Sequence, residues 1–184
     1  MKEIRIHGRG GQGSLVLAQL MAIAALEDGR YGQAFPFLGG GGERRGKAIV
    51  AYCRLDDRPI RLRSRVDHPD YVIVQDPTIL GELDVTKGLK PQGLILINTT
   101  KEPSELGLPS WMRVHTFHKM QQPKASLGRP LSNTFLLGAF SAITGELSLQ
   151  AVTKAVSKRF PGQVGEENSR IVEQSFKEFE GEGS

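Results

Sequence analysis

The stretch IRIHGRGGQGSLVLAQLMAIAAL, residues 4–26, decides the fold. Ile4 and Ile6 alternate with polar residues, as in a β-strand; the glycines at 8, 10, 11 and 13 break that period, and an apolar run from Ser14 to Asp28 reads as a helix. Strand, glycine loop and helix in this order open an α/β domain. The helix is apolar around nearly its whole circumference, which predicts cover on its outer side from more of the same domain or from another subunit.

Continuing along the chain, residues 47–55 (KAIVAYCRL) alternate as a strand, and after an acidic turn at Asp56 and Asp57 the extended piece RPIRLRSRV predicts a hairpin partner for it. The stretch AFPFLGGGGERRG before it has the composition of a loop with aromatic anchors. YVIVQD and GLILIN are short, rich in β-branched residues and without polar alternation, as in strands of a parallel sheet buried on both faces, and VHTFH is a further candidate. Three helices then follow: residues 133–144, residues 149–160 capped by Ser148, and residues 166–180 with Ile171, Val172, Phe176 and Phe179 along one stripe. The expected architecture is a single three-layer, Rossmann-like α/β domain over residues 1–180, with a mostly parallel sheet, a hairpin insertion and C-terminal helices, and a disordered tail at 181–184.

With 184 residues, 39% hydrophobic and 24% charged, the chain suits one well-buried core. Its first residues pass straight into the strand pattern without the charged head, apolar stretch and cleavage site of a signal peptide, so a cytoplasmic location is expected. The longest apolar run, residues 15–26, would reach only about 18 Å as a helix, too short for a bilayer core, so no membrane partner is expected. One cysteine, Cys53, excludes an internal disulfide and an iron–sulfur cluster held by this chain alone. The net charge of +4 leaves room for a local basic patch.

Gly8, Gly10 and Gly13 satisfy G-x-G-x-x-G between a strand and a helix, where bare N–H groups and the helix N-terminus can face an anion. Glycines also permit close packing of a strand–helix turn, and both readings stand at this point. The acid that a dinucleotide's ribose requires about 20 residues on falls at Glu27 and Asp28, still on the first helix, which argues against NAD. Gly41, Gly46 and Lys47 approach a P-loop, but Ala48 lacks the magnesium-binding hydroxyl and opens a strand rather than a helix. Cys53 shares a strand face with Ile49, Ala51 and Leu55 and should sit inert in the core. His115 and His118, three apart in an expected strand, point to opposite faces, and His7 and His68 have no ligand-spaced companions, so no metal site is expected. Arg61, Arg63 and Arg65 fall on one face of an extended segment: either a solvated face, or one that an acidic partner or a phosphate would neutralise. No aromatic residue is interleaved to stack bases, which argues against nucleic acid.

GRGGQG after the first strand, then GQAFPF, ERRG, RPIR, QDPTIL and the LSNTFLLGA helix, in this order, resemble the gamma-subunit family of the 2-oxoacid:ferredoxin oxidoreductases over roughly residues 2–179. The spelling of ERRG and AFPF is closest to its pyruvate (pyruvate synthase) branch, with a 2-oxoglutarate or another 2-oxoacid enzyme as the alternative. The resemblance implies a multi-subunit enzyme that oxidatively decarboxylates a 2-oxoacid with coenzyme A, giving acyl-CoA, carbon dioxide and reduced ferredoxin. It further implies that alpha, beta and delta subunits accompany this one, and that thiamine diphosphate, Mg2+ and the 4Fe-4S clusters are held elsewhere. That agrees with a chain bearing one cysteine, no metal-ligand spacing and no G-D-G motif of thiamine enzymes. No catalytic residue is expected, and the implied role is structural, with a contribution to the coenzyme A site. Carried over residue by residue, that contribution falls on Gly8, Arg9, Gly10, Gly11, Gln12 and Gly13, on Glu43, Arg44, Arg45 and Gly46, and on Asn133 and Thr134. Arg44 and Arg45 suit coenzyme A phosphates as charged forks, or Glu43 pairs with one of them and braces a subunit contact. The four glycines before Glu43 exceed what the family usually carries. Two other classes remain: a free-standing nucleotide-binding module, and a basic scaffold for acidic proteins.

Overall fold

The computed structural model describes residues 1–37, 46–117 and 132–181. The first strand, β1 (Lys2–Arg9), leads through the glycine loop into α1 (Ser14–Glu27), and the chain returns as β2 (Tyr31–Pro36). It then runs through β3 (Ala48–Asp56), β4 (Tyr71–Val74), β5 (Leu94–Ile97) and β6 (Arg113–Thr116), and ends with α2 (Ser132–Thr144), α3 (Leu149–Arg159) and α4 (Gln163–Phe179). The six strands form one mixed sheet in the order β2-β3-β1-β4-β5-β6. From β1 to β6 the pairing is parallel, while β3 lies antiparallel to both β1 and β2.

Side-chain alternation assigns the two faces. Ile4, Ile6, Ala51, Cys53, Leu55, Ile73, Leu94 and Leu96 pack under the four helices in the main core. On the other face Val72, Val74, Ile95 and Ile97 meet Ile79, Val85 and the irregular segments between strands. β4 and β5 are therefore apolar on both sides, which is why their sequences show no polar alternation. Ser148 caps α3 as expected, its Oγ accepting from Ala151 N at 3.1 Å. Along α4 the buried positions are Gly165, Asn168, Ser169, Ile171, Val172, Ser175 and Phe179; Phe176 is only half-buried. Ser175 takes the seam because a Cβ at Gly138 of α2 would lie 2.1 Å from its Oγ, so the two helices cross too closely there for a ring.

Two expectations are corrected. The hairpin partner of β3 is β2, so Ala34, Phe35 and Pro36 belong to a strand rather than to the loop expected there; residues 38–45 lie outside the described set. RPIRLRSRV is not a strand, since both edges of β3 are already taken by β1 and β2. Its carbonyls turn instead to Arg54, which is fully buried and donates to Leu62 O at 3.3 Å and Ser64 O at 2.6 Å while pairing with Glu3 at 2.9 Å. Of the two sources of cover expected for α1, the structure shows the domain itself: α1 packs against β2, β3, α2 and α3, and only Gln19 and Leu26 on it are exposed. Glu27 forms ion pairs with Lys154 and Lys158, and Asp28 accepts from Ser148 Oγ at 2.6 Å, so the two acids a nucleotide ribose would have needed staple α1 to α3.

A close backbone contact between these layers is at Gly32, where an added Cβ would lie 2.4 Å from the Ala22 carbonyl oxygen and 2.5 Å from its Cα. Neither backbone can yield without moving α1 off the sheet. Gly32→Ala should cost about 1–3 kcal/mol, read as a lower urea midpoint; an unchanged midpoint would mean that α1 and β2 are further apart.

Candidate functional site

The site begins where β1 ends. Gly11 and Gly13 hold φ of 94° and 76°, the left-handed region that turns the chain from the strand into the first turn of α1. Gly8 has a different reason for being bare: a Cβ there would fall 2.3 Å from both Gln75 Oε1 and Ser14 Oγ. Those two atoms are joined by a hydrogen bond in which Ser14 donates. Gln75 Nε2 in turn donates to Asn133 Oδ1, and Asn133 Nδ2 donates to Gln12 O at 3.0 Å and Gly13 O at 3.3 Å. Asn98, just past β5, donates to the Gln75 carbonyl at 3.0 Å. A relay of amides thus ties the ends of β1, β4 and β5 to the starts of α1 and α2.

Around this relay lies a charged rim. Arg9 Nη2 donates to Glu82 Oε1 at 2.6 Å, Arg9 Nη1 donates to Gly46 O at 3.1 Å, and Asp76 lies 3.4 Å from Arg9 Nε. The hydrogen bond from Arg9 to Glu82, more than any other contact, raises the guanidinium's pKa above its ordinary value. Burial pulls the Asp76 carboxyl upward, but hydrogen bonds from Thr78 and Gln12 and the Arg9 charge outweigh it and hold it below the usual range. Gln12 is a clamp: its Oε1 accepts from Arg9 N at 2.7 Å and its Nε2 donates to Asp76 at 3.0 Å. The two residues before β3 join in, with Gly46 N donating to Gly10 O at 3.2 Å and Gly10 N to Lys47 O at 2.9 Å.

The structure brings Gly8, Arg9, Gly10, Gly11, Gln12, Gly13, Gly46 and Asn133 together at the carboxyl end of the parallel strands. Thr134 sits beside them but is buried in the first turn of α2. Glu43, Arg44 and Arg45 lie outside the described residues. Ser14, Gln75, Asp76, Thr78 and Glu82 were not among the expected residues. A local signal existed in Asp76-Pro77-Thr78, an N-capping acid before a proline at the first position of a turn, and the structure shows that turn at Pro77–Gly81 with Asp76 accepting from Thr78 N.

Chemically the cluster is suited to holding groups in place. Its members are amides, glycines and ion pairs already joined, and the hydroxyl of Ser14 donates to an amide rather than to a base. Cys53 is fully buried in the core, and burial raises its thiol pKa far above its ordinary value, away from the thiolate that an iron–sulfur cluster requires. Among the described residues no three of His, Cys, Asp or Glu gather into a metal-binding group, and no helix is long and apolar enough to cross a membrane.

The family model for pyruvate ferredoxin/flavodoxin oxidoreductase matches residues 3–178. The chain belongs to this family. Within the pyruvate ferredoxin/flavodoxin oxidoreductase family, it is 49% identical over 156 residues to the pyruvate synthase subunit PorC of Methanosarcina barkeri, covering 85% of each chain. It is 40% identical over 179 residues to the common gamma subunit of the pyruvate/ketoisovalerate oxidoreductases of Thermococcus kodakarensis, covering 96% of both. The crystal structure of pyruvate oxidoreductase subunit PORC from Thermotoga maritima aligns with a TM-score of 0.79 at 32% identity, over 96% of this chain and 95% of that one.

In this family member, β1 also carries a buried basic pair on the face away from the helices. Arg5 donates from Nη2 to Val85 O at 2.9 Å and Lys87 O at 2.6 Å, and from Nε to His7 Nε2 at 3.1 Å. Accepting at Nε2 assigns the proton to Nδ1, which is buried without a partner. Burial first, and the Arg5 charge second, lower the His7 pKa from 6.5 to about 3. Below pH 6.5 the unfolded chain therefore takes up a proton that the folded chain refuses, so stability is retained above that pH and lost as pH falls. Between pH 6.5 and 5 the slope should approach about 1.4 kcal/mol per pH unit, and His7→Gln should flatten it in denaturation curves; an equal slope in both proteins would contradict the assignment.

Proposed function

We propose that this chain is the gamma subunit of a cytoplasmic, multi-subunit 2-oxoacid:ferredoxin oxidoreductase whose 2-oxoacid is pyruvate, and that its glycine-loop end forms part of the coenzyme A site. The whole enzyme would convert pyruvate and coenzyme A to acetyl-CoA and carbon dioxide, passing two electrons to ferredoxin. Full-length similarity to pyruvate synthase and pyruvate oxidoreductase subunits supports the complex and its substrate. The family resemblance assigns thiamine diphosphate and Mg2+ to the companion alpha, beta and delta chains, and the 4Fe-4S clusters go with them because the one thiol here is sealed in the core. This chain then contributes no reacting group.

The observation that carries its part in coenzyme A binding is convergence. Gly46, directly after residues 38–45, and Asn133, close behind residues 118–131, are both hydrogen-bonded to the glycine loop. The described residues supply a frame rather than free charge, since Arg9 is already spent on Glu82 and Asp76. The cations for the coenzyme's phosphates would be Arg44 and Arg45, next to Gly46 in the sequence. The relative shared between pyruvate and ketoisovalerate enzymes favours a role common to several 2-oxoacids, with substrate choice made on other chains. A free-standing nucleotide module is the weaker reading, because the glycine loop is closed by Gln12 and Asn133 and its expected ribose acids bind α3.

In the assembled enzyme, Arg44→Ala with Arg45→Ala should raise the apparent KM for coenzyme A about tenfold or more, the loss of a charge-assisted hydrogen bond, and leave the KM for the 2-oxoacid unchanged. An unchanged KM for coenzyme A removes these residues from the site.

A further inference from the structure

β2 is the end strand of the sheet, bonded on one side to β3 only. The hydrogen bond from Phe37 N to Val50 O fixes which residues face β3. In an antiparallel pair these alternate, so Phe35 and Gln33 also bond inward, whereas Gly32 and Ala34 turn their N–H and C=O groups outward. Pro36 offers only a carbonyl there. Alongside this edge runs a groove of about 470 Å3, lined by Gln33, Ala34, Phe35, Ile60, Arg61 and Arg63. Its far wall is the segment after β3, two of whose carbonyls are held by the buried Arg54, whose guanidinium carbon also lies 5.0 Å from the centre of the Phe35 ring.

Arg61 and Arg63 are exposed, and among the described residues neither has an ion-pair or hydrogen-bond partner; Arg65, two residues on, pairs with Asp67 at 2.8 Å. An open strand edge beside two unneutralised guanidinium groups fits an extended chain carrying carboxylates. A second copy of this chain does not fit, because two-fold pairing along β2 would bring the same arginines face to face. Nor does a nucleic-acid base, since Arg54 and Tyr52 already occupy the surroundings of the Phe35 ring.

We propose that this groove docks an extended, acidic segment of a companion subunit, added as a further strand along β2. The proposal rests on the gamma-subunit reading and deepens it by naming the surface and the chemistry of what it meets. Exposed backbone groups of Gly32 and Ala34 give the added strand its register, Phe35 and Ile60 take an apolar side chain, and Arg61 and Arg63 select for Asp or Glu. The same contact removes the liability of an open edge.

The test uses the enzyme co-expressed with its companion chains. A benzophenone-bearing residue in place of Ile60 should cross-link, in the intact complex, to an Asp- or Glu-rich segment of a companion chain. Arg61→Glu with Arg63→Glu should weaken association with the companions at low salt at least about tenfold, whereas Arg61→Lys with Arg63→Lys should retain it. Equal melting temperatures for these surface variants would exclude misfolding as the cause. An intact complex with no cross-link at Ile60, a cross-link to a second copy or to nucleic acid, or wild-type association of the glutamate variant overturns the docking proposal and leaves the gamma-subunit reading standing. A chain that purifies with no companion at all overturns both.

Discussion

The close approach at Gly8 is the constraint on which the rest depends. With no side chain at that point, Gln75 at the end of β4 and Ser14 at the start of α1 can meet across it and hydrogen-bond. Gln75 then reaches Asn133 at the start of α2, and Asn133 holds two carbonyls of the glycine loop. A polar relay buried in this way is worth its place only if each member is satisfied, because an amide left unpaired in the interior costs about 1–3 kcal/mol. Its completeness explains why strand ends, helix starts and the borders of two neighbouring segments share one location.

A frame of this kind suits the holding role proposed for this subunit. The side chains of Arg9, Gln12, Ser14, Gln75 and Asn133 at the loop end are engaged within the chain, and burial raises the pKa of the single thiol. Arg54 plays the corresponding part on the opposite face: fully buried, it satisfies carbonyls of Leu62 and Ser64 and thereby gives a segment without secondary structure a fixed course past the edge strand. In both places the interior polar groups organise backbone that neither helix nor ladder would hold. The proposed contact with a companion subunit uses what these frames leave at the surface: two guanidinium groups and an open strand edge.

Much of the fold was legible in the sequence because burial on both faces leaves a plain trace: YVIV and LILI admit no polar residue, and Ser148 announces its helix by capping it. The misreadings share one cause, which is that propensity does not reveal which neighbours a segment has. RPIRLRSRV alternates well enough to be a strand, yet β3 has no free edge to give it; AFPF has the composition of a loop, yet Ala34, Phe35 and Pro36 pair with β3. The glycine loop was legible with two readings open, close packing and anion binding, since G-x-G-x-x-G looks the same whether a side chain or a phosphate approaches it. Gln75 and Ser14 carry no motif of their own, and only the distance between them at Gly8 reveals what they do.

Hydrogen exchange on the intact enzyme, comparing the native chain with Gly8→Ala, tests the central claim most directly. The added methyl group must separate Gln75 from Ser14, so exchange should accelerate in peptides covering residues 8–17 and 133–137 while the sheet centre at residues 94–97 keeps its protection. Equal exchange in both proteins at the glycine loop and at the start of α2 would contradict the account.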